Sequence, residues 1–158
     1  MRRVLLIAGA VALALVLAEG HPGAASGSVA KAYRLSATMN TSQVVTPTNK
    51  PWKVPAAVAK ARGTFTGRLD GRTRNLTWHL VYSGVGTPKL TIADIHLGKP
   101  GRFGQLLVRL CGPCKADQKG TKKVSQLTAK AITSGMSWIT VITDHYPNGV
   151  IRSQITAR

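Results

Sequence analysis

The chain is short of acidic side chains, aromatics and cysteine, and each shortage removes functions. Of its 158 residues five are Asp or Glu, against 22 Lys and Arg, for a formal net charge of +17. Beyond the N-terminal region the acids are Asp70, Asp94, Asp117 and Asp144. General acid–base chemistry therefore has few agents, and no two carboxylates stand at a working spacing. Three Trp, three Tyr and two Phe do not alternate with basic residues. That disfavours nucleic acid, whose unpaired bases need stacking platforms. No nucleophile elbow and no phosphate-cradling glycine loop occurs. After the first apolar run, no other is long enough to cross a bilayer.

That first run covers residues 4–18, behind the basic start Met1-Arg2-Arg3. At about fifteen residues it is short of the roughly twenty a spanning helix needs, and it reads as a secretory signal peptide within residues 1–25. Cleavage after Ala18, with Val16 as the other small position, and after Ala25, with Gly23, both remain open. An uncleaved anchor is the plainer alternative. Residues 26–32 form a small, Gly-rich flexible linker, and the domain occupies 33–158. Roughly 133 to 140 mature residues make one domain with a single core. With no cysteine for lipid attachment near either cleavage site, a secreted, extracytoplasmic protein is expected.

The texture from Tyr33 onward is that of strands. Tyr33, Leu35, Ala37 and Met39 alternate with polar residues, as do Phe65 and Leu69, and then Leu76, Trp78, Leu80 and Tyr82. The period of two puts each set on one face and turns His79 outward. Further strands are expected over 89–97 and 105–110. Three prolines in 46–55 make that stretch a loop or edge. Val124, Leu127 and Ala131 stand at helical spacing before Gly135, which predicts a short helix over 124–134. Two apolar runs, 138–143 and 150–156, flank Tyr146-Pro147-Asn148-Gly149. Asn-Gly there predicts the turn of a terminal hairpin. Short strands with turn signals between them describe a β-sandwich or barrel.

Few residues could carry chemistry. Cys111-Gly112-Pro113-Cys114 has the spacing of thiol–disulfide oxidoreductases, which place the first thiol at a helix N-terminus. Here a polar loop is expected to follow, without the βαβ alternation of such folds, and a local disulfide between Cys111 and Cys114 is the simpler reading for an exported chain. Asp94 and His96, two apart on a strand, project from one face as metal ligands often do. Two ligands do not make a site, and hydrogen bonds to each other or to a nearby turn are the plainer alternative. The basic excess reads either as a solvated surface or as attraction to polyanions: anionic polysaccharide, wall polymer or a lipid surface. Asn40-Thr41-Ser42 and Asn75-Leu76-Thr77 match the glycosylation acceptor pattern, which matters only in a host that glycosylates.

Three stretches together resemble the CHRD domain, the module named for chordin. They are the strand 75–84, the segment Ala93-Asp94-Ile95-His96-Leu97-Gly98 with Gly101 and Gly104 after it, and 135–155, whose ending Asn148-Gly149-Val150-Ile151-Arg152-Ser153-Gln154 matches a family pattern of the type N-P-x-G-E-I-R-G-Q. The resemblance implies an all-β, Greek-key-like antiparallel β-sandwich of superoxide-dismutase-like or immunoglobulin-like type, with at most one short helix. It implies a non-enzymatic extracellular binding or structural role, with no cofactor and no catalytic residues to carry over. Asn148, Gly149, Ile151, Arg152 and Gln154 are then structural motif positions, with Ile151, Ser153 and Ile155 facing the core and Arg152 and Gln154 the other face. Departures bear on chemistry. Asp94 stands where the family usually has histidine, Ile142 replaces another histidine, and Val150 and Ser153 replace an acid and a glycine. The 135–155 stretch is accordingly expected to be scaffold. The alternatives are a redox protein using Cys111 and Cys114, and a metal-binding, superoxide-dismutase-like protein using Asp94 and His96.

Overall fold

The computed structural model describes residues 31–158; the expected signal peptide and nearly all of the linker lie outside them. Nine strands make one antiparallel sheet: β1 (Ala32–Asn40), β2 (Arg62–Asp70), β3 (Asn75–Ser83), β4 (Thr91–Leu97), β5 (Leu106–Cys111), β6 (Asp117–Lys123), β7 (Ser137–Thr143), β8 (Tyr146–Gln154) and β9 (Thr156–Ala157). The order is β5-β4-β7-β8-β1-β2-β3-β6, with β9 on β1. Only Asn40 and Arg152 pair between β1 and β8, so the sheet bends there into two four-stranded halves. The chain crosses between the halves after β3, β5, β6 and β8, which gives the Greek-key-like sandwich expected from the sequence.

The period of two does most of the building. Leu35, Met39, Phe65, Leu69, Leu76 and Leu80 from one half meet Ile95, Ile139, Val141 and Ile151 from the other in one buried cluster. Each such side chain contributes roughly 1.5–3 kcal/mol by leaving water. The two free edges come together at the far side, where Lys122 Nζ on β6 donates to the Arg109 carbonyl of β5 at 2.6 Å. The molecule is thus close to a closed barrel.

Several expectations need correction. The β7–β8 hairpin turns at Asp144 and His145, with Thr143 opposite Tyr146, while Asn148 and Gly149 form a bulge inside β8. The positive φ of Gly149, 103°, serves that bulge; the turn falls earlier because Tyr146 reaches the sheet and packs on Trp52, with ring centroids 5.6 Å apart. The polar stretch after Cys114 is strand β6, paired along its length with β3. It carries no apolar alternation because Trp78 lies over Gly120 and supplies the apolar cover itself. The helix, α1 (Gln126–Thr133), starts with Ser125 as N-cap and stops before Gly135. Its buried side is Thr128, Ala131 and Ile132, however, and Leu127 is 55% exposed. Two three-residue 3-10 turns, Thr41–Gln43 and Ala56–Val58, flank the proline-rich loop. β1 begins at Ala32, inside the stretch read as linker.

Candidate functional site

The middle of the half-sheet β4-β7-β8 is buried on both faces, as the nearly unbroken apolar run Trp138-Ile139-Thr140-Val141 demands. Ile139 and Val141 face the main core. On the opposite face the register aligns two rows: Arg109, Asp94, Thr140, Arg152 and Asn40 in one, and Leu106, His96, Trp138 and Gln154 in the other. The loop between β4 and β5 reaches both rows: the Arg102 carbonyl accepts from Arg152 in the first, and the Gly98 and Gly104 carbonyls engage Gln154 and His96 in the second.

Asp94 and His96 do share a face, as the spacing predicts. They do not bond to each other; His96 takes the other expected course, a bond to the adjoining loop, and Asp94 takes Arg109. Asp94, 2% exposed, receives two hydrogen bonds from Arg109, Nε to Oδ1 at 3.0 Å and Nη2 to Oδ2 at 3.2 Å. That fork matches a carboxylate geometrically and pushes the Arg109 pKa further up, through the hydrogen bonds first and the charge second. His96 Nδ1 lies 3.0 Å from the Gly104 carbonyl, and its ring stacks on Trp138 with centroids 4.3 Å apart. Burial lowers the His96 pKa, against upward pulls from the Gly104 carbonyl and Asp94, while Arg152 and Arg109 push it down too. Among the described residues, no group of three His, Cys, Asp or Glu is placed to hold a metal ion.

Arg152 and Gln154 face away from Ile151 as expected, into this same layer. Arg152 is 3% exposed and has no carboxylate partner. Its guanidinium carbon sits 3.8 Å from the Trp138 ring centroid, and Nη2 donates to the Arg102 carbonyl at 2.7 Å. Nη1 has no partner. Desolvation lowers its pKa to about 10, so it remains a cation at neutral pH. Gln154 Nε2 donates to the carbonyls of Gly98 and Gly135, which fixes the amide orientation and leaves Oε1 unpaired. Beside both residues lies a cavity of about 180 Å³, with Ser42, Gln43 and Gly101 at its walls.

Cys111 and Cys114 form a disulfide away from this layer. Cys111 belongs to the main core opposite Ala93, and Tyr82 Oη donates to the Cys114 carbonyl. No helix begins at either cysteine; the chain passes from β5 to β6, so the helix N-terminus that lowers a redox thiol's pKa is not there. Asp94, His96 and the cysteines therefore do not converge. Trp138 and Arg109 were not singled out from the sequence. Trp138 was readable from a strand apolar at both alternate positions, but the pairing of Arg109 with Asp94 depends on register shifts between β4 and β5.

The outer face of the other half-sheet differs. Arg34, Arg68, Thr77 and Thr121 stand in one row across β1, β2, β3 and β6, and Ser36, Thr66, His79 and Lys119 in the next. All but His79 are exposed. The two carboxylates at its margins are engaged, Asp117 by His79 Nε2 at 2.7 Å and Asp70 by the N–H groups of Arg72 and Thr73.

No curated protein and no solved structure matches this chain. The model of the CHRD domain matches residues 35–155, which run from within β1 to just past β8 and include every residue of the two rows. The chain belongs to the CHRD domain family.

Proposed function

We propose that this protein is an extracellular, non-enzymatic binding module that holds an acidic polysaccharide against the outer face of β1, β2, β3 and β6. The family supports a module of extracellular type, and no helix among the described residues is long and apolar enough to cross a membrane. The observation that carries the reading is the charge inventory. Among the described residues Arg109 is the one Lys or Arg in an ion pair, so the basic excess is not neutralised internally. Arg34, Arg68, Lys119 and Lys123 project from an outer face that also carries Ser36, Thr66, Thr77 and Thr121, whose hydroxyls suit a hydroxyl-rich polymer. Net charge alone serves solubility; a basic and hydroxyl-bearing strand face with its carboxylates engaged serves an extended polyanion.

The test is retention of the purified protein on polygalacturonate resin. Retention at about 10 mM salt and release well before 1 M is expected, because screening shortens from about 30 Å to about 3 Å over that range. Replacing Arg34, Arg68, Lys119 and Lys123 with serine leaves the core untouched and removes retention. Unchanged retention of that variant overturns the assignment to this face.

A further inference from the structure

The cavity beside Arg152 and Gln154 combines features that a structural layer alone does not need. A guanidinium shut away from water keeps its charge without a counter-ion, and one of its nitrogens donates to nothing. A buried cation normally sits against a carboxylate or phosphate, yet the nearby carboxylate, Asp94, is taken by Arg109. Next to it Gln154 Oε1 is an acceptor with no donor. Arg152 and Gln154, which carry the unmet donor and the unmet acceptor, line one cavity, whose remaining wall comes from exposed Ser42, Pro100 and Gly101 and from Val45 and Gln43. At about 180 Å³ it falls below the roughly 300 Å³ of pockets for drug-sized ligands, so it has room for a single sugar-sized group.

We infer that this cavity binds a hydroxycarboxylate of the kind one uronic acid unit presents, its carboxylate accepting from Arg152 Nη1 and its hydroxyl donating to Gln154 Oε1. Arg supplies the donor geometry that planar carboxylates match. The Ser42 hydroxyl, now donating to Asn40 Oδ1 at 2.7 Å, stands at the rim as a second polar contact. Both buried atoms are shielded from bulk water, so entry requires the exposed turn at Pro100 and Gly101 to move outward. Gly101 has open space around it. Asn40 pairs with Arg152 on one side and Arg62 on the other, so the cavity adjoins the basic outer face. The inference rests on the polysaccharide reading for its choice of ligand and names the unit of the polymer that is read.

The experiment titrates the purified protein with monomeric galacturonate, following tryptophan fluorescence, with glucose and sulfate as comparison probes. Saturable one-to-one binding of galacturonate is expected, at least tenfold tighter than either comparison. Arg152→Gln removes it; because that variant alters a buried residue, Ser42→Glu is the second probe. Ser42 is exposed, and a carboxylate there competes for Arg152, so Ser42→Glu folds normally and loses binding at least tenfold. Equal binding of glucose overturns the role of the charge, and equal binding of sulfate overturns the hydroxycarboxylate assignment. Full binding by folded Ser42→Glu overturns the location. Polymer retention without any galacturonate binding overturns the cavity while leaving the outer face standing; the reverse pattern removes the outer face and leaves the cavity.

Discussion

His96 and Arg152 approach the Trp138 indole from neighbouring strands, and both cannot be charged there without repulsion. Burial is the main reason that His96 is held neutral, with Arg152 and Arg109 adding to it against Asp94 and the Gly104 carbonyl. The unfolded chain takes up a proton as pH falls below the ordinary value of 6.5, whereas the folded protein resists it. Stability is therefore full above that pH and falls as pH drops toward the lowered folded value. Urea midpoints at pH 7.5 and 5.5 measure the loss, and His96→Gln should show a shallower loss than the parent. An identical slope in both proteins would place the pH sensitivity elsewhere. The Asp94–Arg109 pair is asymmetric, with Asp94 buried and Arg109 half exposed. Arg109→Ala strands a buried carboxylate and should cost about 3 kcal/mol. Asp94→Asn removes the charge with it and should cost clearly less by the same denaturation measurement.

At the scale of elements, the bulge in β8 and the crossing from β5 to β6 are the places where local chemistry decides the path. A side chain at Gly149 would collide with Thr140 Oγ1, which donates to the Ile151 carbonyl at 2.9 Å. Gly149→Ala should therefore cost about 2–3 kcal/mol, combining unfavourable φ with a broken buried bond. Gly101→Ala, at φ 70° but in open space, should cost only about 1 kcal/mol. Equal losses in thermal melts would mean that conformation alone matters at both. The Cys111–Cys114 disulfide closes a very short loop, and replacing both cysteines with serine should cost about 2 kcal/mol while leaving a cooperative melt.

These same elements mark how far the sequence could be read. Strands with one face in the core and one in water announce themselves by alternation, and β1, β2 and β3 fall where that pattern places them. β6 does not, since its apolar cover comes from Trp78 on its neighbour. The Asn-Gly signal was real but ambiguous, because positive φ serves a bulge as well as a turn. The placement of Arg152 and Gln154 opposite Ile151 followed from the period of two. What that face meets did not, since the covering loop is joined to it by carbonyl contacts that leave no mark in side-chain pattern.

For the whole molecule, the sandwich divides labour between its two outer surfaces. One half-sheet is covered by its own loop and encloses a cation. The other is open and basic, with Ser and Thr between the charges. Setting aside Arg2, Arg3 and Glu19, twenty basic and four acidic side chains remain on the described residues; on the proposed reading that excess draws a polyanion from a distance, and salt weakens the attraction. The most direct test of the account is the salt at which the protein elutes from polygalacturonate resin, measured for the parent and for the variant with serine at positions 34, 68, 119 and 123. The account predicts retention of the parent at low salt and flow-through of the folded variant. Flow-through of the parent at about 10 mM salt, where charges are felt over about 30 Å, or equal elution of the two proteins, would contradict it.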